Sequence, residues 1–174
     1  MIFGTAEICD TYRGKIQVVS PLFKSYGGSS SISADIETLK TSSADEVEAV
    51  LKHAGKKRVL FIDSGQRYVS VVDRQIADLA IRNNWRGLVV NGYVRNAQFL
   101  KGLPLAIWGL GTCPVRDSVA DETVQSCDLV FNGLTVTPGM HLYADDDGMI
   151  ITDASAPAPV SDSAFNVWLD YSGI

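Results

Sequence analysis

The sequence predicts an α/β fold with a partly parallel central sheet, flanking helices and a β-rich second half. Three observations carry that reading. Short apolar runs at Arg58–Asp63 (RVLFID), Gly87–Val90 and Leu103–Trp108 have the length of buried strands. Helical patterns lie between them, the clearest at Asp73–Asn84, where Ile76, Leu79 and Ala80 share a face. Alternating strands and helices at this spacing need right-handed crossovers, which make successive strands parallel. Beyond Trp108 the punctuation changes to Asn132-Gly133, Pro138-Gly139 and the acidic stretch Asp145–Gly148, each beside short apolar runs, as in hairpins.

Taken in order, Thr5–Tyr12 is expected to be a short helix with Thr5 as its N-cap, and Gln17–Ser20 an extended piece. Pro21 and Gly27-Gly28 mark loops. Ser31–Lys40 carries Ile32, Ala34 and Ile36 at period two, the pattern of a half-buried strand. Ser43-Ala44-Asp45-Glu46 fits a capping box opening a helix with Val47, Val50 and Leu51 on one face, ended by Gly55. Tyr68–Val72 is a second, shorter extended piece, and Asp73 is the N-cap of the helix that follows. The strand Gly87–Val90 is expected to end in a turn at Asn91-Gly92, with a short helix over Val94–Leu100. Gly109, Gly111 and Pro114 break the pattern after Trp108. Leu129–Val136 reads as a hairpin around Asn132-Gly133, and Leu142–Ala144 and Met149–Thr152 flank Asp145–Gly148. Residues 1–153 form the expected domain. Residues 154–174 form a linker (ASAPAPVS) and a terminal helix whose Phe165, Trp168 and Leu169 dock on their own domain or on a neighbouring subunit.

The length of 174 residues suits one domain with a sizeable core. No apolar run approaches the roughly 20 residues that cross a bilayer, so no membrane contact is expected. MIFGTAEICDTY lacks the basic start and apolar stretch of a secretory signal. A formal net charge of −5 gives no general attraction for phosphate backbones, so direct nucleic-acid binding is not expected, whereas a basic protein segment would be attracted. Cys9, Cys113 and Cys127 are odd in number, widely spaced and at no metal-ligand spacing, which points to packed free thiols in the cytoplasm.

Ligands of open α/β sheets bind beyond the carboxyl ends of the strands. Two strands here end in polar residues, at Asp63 and at Asn91-Gly92. The helix opening at Asp73-Arg74-Gln75-Ile76 offers first-turn N–H groups to an anion, and Arg95 stands near the same rim with a fork suited to a carboxylate. The alternative for Arg95 is a surface or interface ion pair. Asp145–Gly148 reads as a solvated turn, His141 as a packed or solvent-facing side chain, and Gln66 and Arg67 weaken any phosphate cradle at Ser64–Arg67.

AEICDTY, VVSPLFKSYGG, RVLFIDSG, DRQIADLAIRNNWRGLVVNGYVR and HLYADDDGMII together resemble the RraA family, which comprises the regulator of ribonuclease activity A and the 4-hydroxy-4-methyl-2-oxoglutarate aldolases. The resemblance covers most of residues 5–152 and fades at 29–41 and 109–125. It implies a swivelling β/β/α sandwich assembled as a homotrimer, sometimes paired into a hexamer. In the aldolases, a helix start of the form Gly-Asp/Glu-x-Leu and a later Arg-Asp hold the substrate carboxylate and a magnesium or manganese ion. By that match Asp73, Arg74, Gln75 and Ile76 form the helix start, Arg95 takes the arginine position, Asn96 replaces the metal-linked aspartate, and Arg74 replaces the acidic residue. An amide and a guanidinium in place of two acids disfavour a divalent cation.

The resemblance therefore leans away from catalysis. It implies a regulator with no cofactor that binds the C-terminal scaffold of ribonuclease E, and its associated RNA helicase, without touching RNA. The alternatives are a magnesium- or manganese-dependent aldolase or oxaloacetate decarboxylase, and a binding protein for small carboxylates.

Overall fold

A computed structural model of the chain describes residues 4–12, 14–119 and 122–153. In chain order these form α1 (Thr5–Thr11), β1 (Ile16–Val18), β2 (Lys24–Ser25), β3 (Ile32–Thr41), α2 (Ala44–Leu51), β4 (Val59–Asp63), β5 (Ser70–Val72) and α3 (Arg74–Arg82). Then follow β6 (Gly87–Val94), α4 (Ala97–Leu100), β7 (Ala106–Thr112), β8 (Thr123–Gln125), β9 (Leu129–Phe131), β10 (Leu134–Val136), β11 (His141–Asp145) and β12 (Gly148–Thr152). The main sheet runs β1-β12-β11-β3-β4-β6-β7-β2 among the described residues, with β5 on β6 and β8 on β3. Its centre, β3-β4-β6-β7, is parallel, and antiparallel strands flank it.

The alternation of side chains across the sheet builds two cores. On one face Leu39, Leu60, Ile62, Leu88, Val90 and Ile107 pack against Val47, Leu51, Ile76 and Ala80 of α2 and α3. On the other, Ile36, Phe61, Val89 and Trp108 pack against Leu129, Phe131, Leu134 and Val136 of the hairpin β9-β10. Helices, sheet and a small second β layer give the β/β/α sandwich that the resemblance implies. Helix α1 covers a separate cluster of Ile8, Tyr143 and Ile150.

Several boundaries differ from the sequence reading. The N-cap of α1 is Gly4, not Thr5, because Thr5 donates its N–H and hydroxyl to Asp145 at 2.7 and 2.6 Å. Asp145 therefore anchors α1 and also accepts from Asp147 N–H within its turn. At α2, Ser43 Oγ caps Glu46 N–H, but the Ser43 N–H goes to Thr41 Oγ1, so only half of the expected capping box is formed. Asn91-Gly92 is not a turn. Strand β6 continues to Val94, since β5 and β7 supply partners beyond the end of β4. The Asn91 side chain is buried and donates to Asp63 Oδ1 at 2.8 Å. A Cβ at Gly92 would lie 1.9 Å from Ser64 Oγ, so glycine there serves close packing rather than a bend. The expected helix over Val94–Leu100 shortens to α4, because Val94 belongs to β6. Gly109 and Gly111 lie inside β7, opposite Val90 and Tyr93, and do not end it. Strands β2 and β8 were not anticipated. The hairpin turn at Asn132-Gly133 has both φ angles positive (49° and 78°), as its dipeptide predicts. The expected linker and terminal helix lie outside the described residues.

Candidate functional site

The carboxyl ends of β4 and β6 bring Asp63, Asn91 and Arg95 to one rim, and β5 leads there into α3. Asp73 caps α3 as expected. Its Oδ1 accepts Ile76 N–H at 3.1 Å, satisfying one of the free donors of the first turn. Its Oδ2 accepts from Arg95 Nη2 at 2.8 Å and Nε at 3.3 Å. The Arg95 N–H in turn donates to Val72 O at 2.9 Å, which fixes the arginine beside the end of β5. A second guanidinium, from Arg116 beyond β7, approaches the same oxygen with Nε at 3.6 Å. Arg116 also reaches Asp45 Oδ1 at 2.7 Å in the first turn of α2 and Ser118 Oγ at 3.0 Å. The Asp73 side chain is 5% exposed and those of Arg95 and Arg116 are 32% and 27% exposed. The carboxylate is therefore nearly out of water while its cationic partners are half-buried.

Of the residues singled out in the sequence, Asp73, Arg95 and the Ile76 N–H meet directly. Arg74 does not join them. It lies on the outer face of α3, where it pairs with Asp78 at 3.7 Å and its guanidinium sits 5.1 Å from the centre of the Phe99 ring. Gln75 is exposed. Asn96 is exposed in the left-handed conformation, φ 57°, and its side chain caps nothing in α4. Arg116 escaped the sequence reading. It follows a Gly- and Pro-broken stretch where the resemblance fades, and the one signal for it was its place just past β7, the last strand of the parallel centre. Next to the rim, Gln66 Nε2 donates to Asn91 Oδ1 at 3.3 Å and Arg67 pairs with Asp117 at 3.1 Å, so Ser64–Arg67 is a cross-linked turn.

The remaining chemical groups are tied into the fold. His141 lies between Ser33 Oγ (2.8 Å from Nε2) and Asp35 Oδ1 (2.7 Å from Nδ1), in a row across β3 and β11. Cys113 is buried and donates to Tyr68 O, and Cys127 donates to Val124 O. Burial, and then the carboxylates of Asp10 and Asp145, push the Cys9 thiol up, so it stays protonated at neutral pH and is a poor nucleophile. At the opposite, amino end of the parallel strands lies a cleft of about 870 Å³, lined among others by Glu7, Lys57, Asn84, Trp85, Arg86 and Asp146. None of Asp73, Arg74, Gln75, Ile76 or Arg95 lines it.

A β/β/α sandwich with an arginine-bearing rim at the carboxyl ends of its parallel strands defines the class. Residues 5–151 match the family model described as RraA-like, Aldolase/RraA, and the chain belongs to that family. A protein of Laribacter hongkongensis provisionally named 4-hydroxy-4-methyl-2-oxoglutarate aldolase is 36% identical, over 86% of this chain and 96% of its own. One of Aromatoleum aromaticum with the same provisional name is 32% identical, over 89% and 99%. Among solved structures, the RNA-processing inhibitor RraA from Thermus thermophilis superposes with a TM-score of 0.84 at 28% identity, covering 92% of this chain and 98% of its own. No helix among the described residues is long and apolar enough to cross a membrane.

Proposed function

We propose that this chain is a non-catalytic regulator of ribonuclease activity. In this reading it acts in the cytoplasm as a homotrimer or hexamer that binds the C-terminal scaffold of ribonuclease E, and its associated RNA helicase, and slows RNA processing and decay. The observation that carries the reading is the contact between Arg95 and Asp73. The arginine that would hold a substrate carboxylate is already held by a carboxylate of its own chain.

The magnesium or manganese ion of the aldolase branch fits these residues poorly. Asn96 offers a neutral carbonyl oxygen. The neighbouring carboxylate, Asp73, has one oxygen on a backbone N–H and the other facing two guanidinium groups. A hard divalent cation is normally held by at least one carboxylate, and the two guanidinium groups beside Asp73 repel it. The acidic balance of the chain and its likeness to an RNA-processing inhibitor support the regulator reading as well.

Binding of a ribonuclease E scaffold fragment, followed by light scattering or surface resonance, is expected at low salt and should weaken steeply as salt rises. No binding at low salt would refute the regulator. The aldolase or decarboxylase reading is favoured by the provisional names of the relatives and by the presence of Arg95 itself. Metal-dependent pyruvate release would establish it.

A further inference from the structure

Two guanidinium groups and a backbone N–H converge on one nearly buried carboxylate at the rim. Arg95 presents both Nη2 and Nε to Asp73 Oδ2, Arg116 presents Nε to the same oxygen, and the Ile76 N–H takes Oδ1. Oriented N–H donors and forked cations are the donor set with which proteins bind small carboxylates. Here every donor points at an anion supplied by the chain. We propose that Asp73 is a tethered occupant of an anion site, and that the site is closed to free carboxylates as long as Asp73 fills it. Tethering makes Asp73 an intramolecular competitor that is already oriented at the site, whereas a dissolved monocarboxylate must be bound from solution. Once the carboxylate is removed, the two arginines remain with a space of carboxylate size between them, which formate or acetate can enter.

This inference concerns the same rim as the non-catalytic reading but does not stand or fall with partner binding. A chain that ignores the ribonuclease fragment would sink the regulator and leave the tethered anion untouched. Saturable formate binding by the unaltered protein would do the opposite.

The test is chemical rescue. Asp73→Ser keeps a side-chain oxygen to cap α3 while deleting the anion. Its unfolding temperature is expected to rise by about 3 °C or more in sodium formate over sodium chloride of equal ionic strength, with a saturating dose curve. The unaltered protein and Asp73→Ser/Arg95→Ala are expected to show no difference between the two salts. Equal responses of Asp73→Ser to formate and chloride would overturn the proposal. Should Asp73→Ser not fold, calorimetric titration of the unaltered protein with formate and oxalate decides. No saturable heat is expected, and millimolar binding would show that the site is open.

Discussion

At the carboxyl ends of the parallel strands, Asp73, Arg95 and Arg116 meet at hydrogen-bond and ion-pair distances around a nearly buried carboxylate. At the amino ends, Glu7, Lys57 and Asp146 are exposed along a cleft of about 870 Å³. Both ends carry acids that hold a helix start on the sheet, Asp73 at α3 and Asp145 at α1, yet only Asp73 also pairs with two guanidinium groups. A nearly buried charge that caps a helix and pairs with half-buried cations belongs to the stability of the fold, because removing it takes the partner from the Ile76 N–H and from Arg95 and leaves Arg116 to Asp45. A solvated charge beside a cleft has water as its alternative partner and costs little to change.

The largest expected effect follows at the closed end. Asp73→Ala should lower stability by about 3 kcal/mol, since a cap is lost and two half-buried guanidinium groups lose their shared partner. Urea unfolding measures this, and a loss below about 1 kcal/mol would mean that the rim is as solvated as the amino end. Gly92→Ala, at the same end, should cost about 2 kcal/mol through overpacking against Ser64. The double variant Gly92→Ala/Ser64→Gly should recover part of that loss, and strict additivity of the two changes would break the packing account.

A smaller effect separates the α1 region from the rim in alkali. Burial raises the Tyr143 phenol, and burial with Asp10 and Asp145 raises the Cys9 thiol. The folded chain thus holds these protons more tightly than the unfolded chain. The stability this contributes is present at neutral pH and is lost as pH climbs through the raised values. Stability should therefore decline once pH passes the ordinary thiol and phenol ranges, less steeply in Cys9→Ser. An identical alkaline limb in that variant would remove Cys9 from the explanation. Smallest of all, Lys57→Gln and Asp146→Asn at the amino cleft should each shift stability by less than about 0.5 kcal/mol.

The sequence exposed what depends on local pattern and hid what depends on pairing. Ile76, Leu79 and Ala80 announced α3, Asp73 announced its cap, and Asn132-Gly133 announced the hairpin, because each is decided within a few residues. Asn91-Gly92 carries a turn dipeptide, but ladder partners on both sides override it, and nothing local signals that β5 takes over where β4 ends. Gly109 and Gly111 misled for the same reason. At the rim, Asp73 and Arg95 were each legible as polar groups at strand and helix ends. Their contact spans 22 positions, and the convergence of Arg116 spans 43 (116 − 73), so neither could be read from spacing.

The most direct measurement is a pyruvate-release assay with 4-hydroxy-4-methyl-2-oxoglutarate and with oxaloacetate, in magnesium and in manganese, against metal-and-buffer controls. A rim closed on its own carboxylate is expected to give no release above those controls with either metal. Steady metal-dependent turnover that disappears in Arg95→Ala would contradict it.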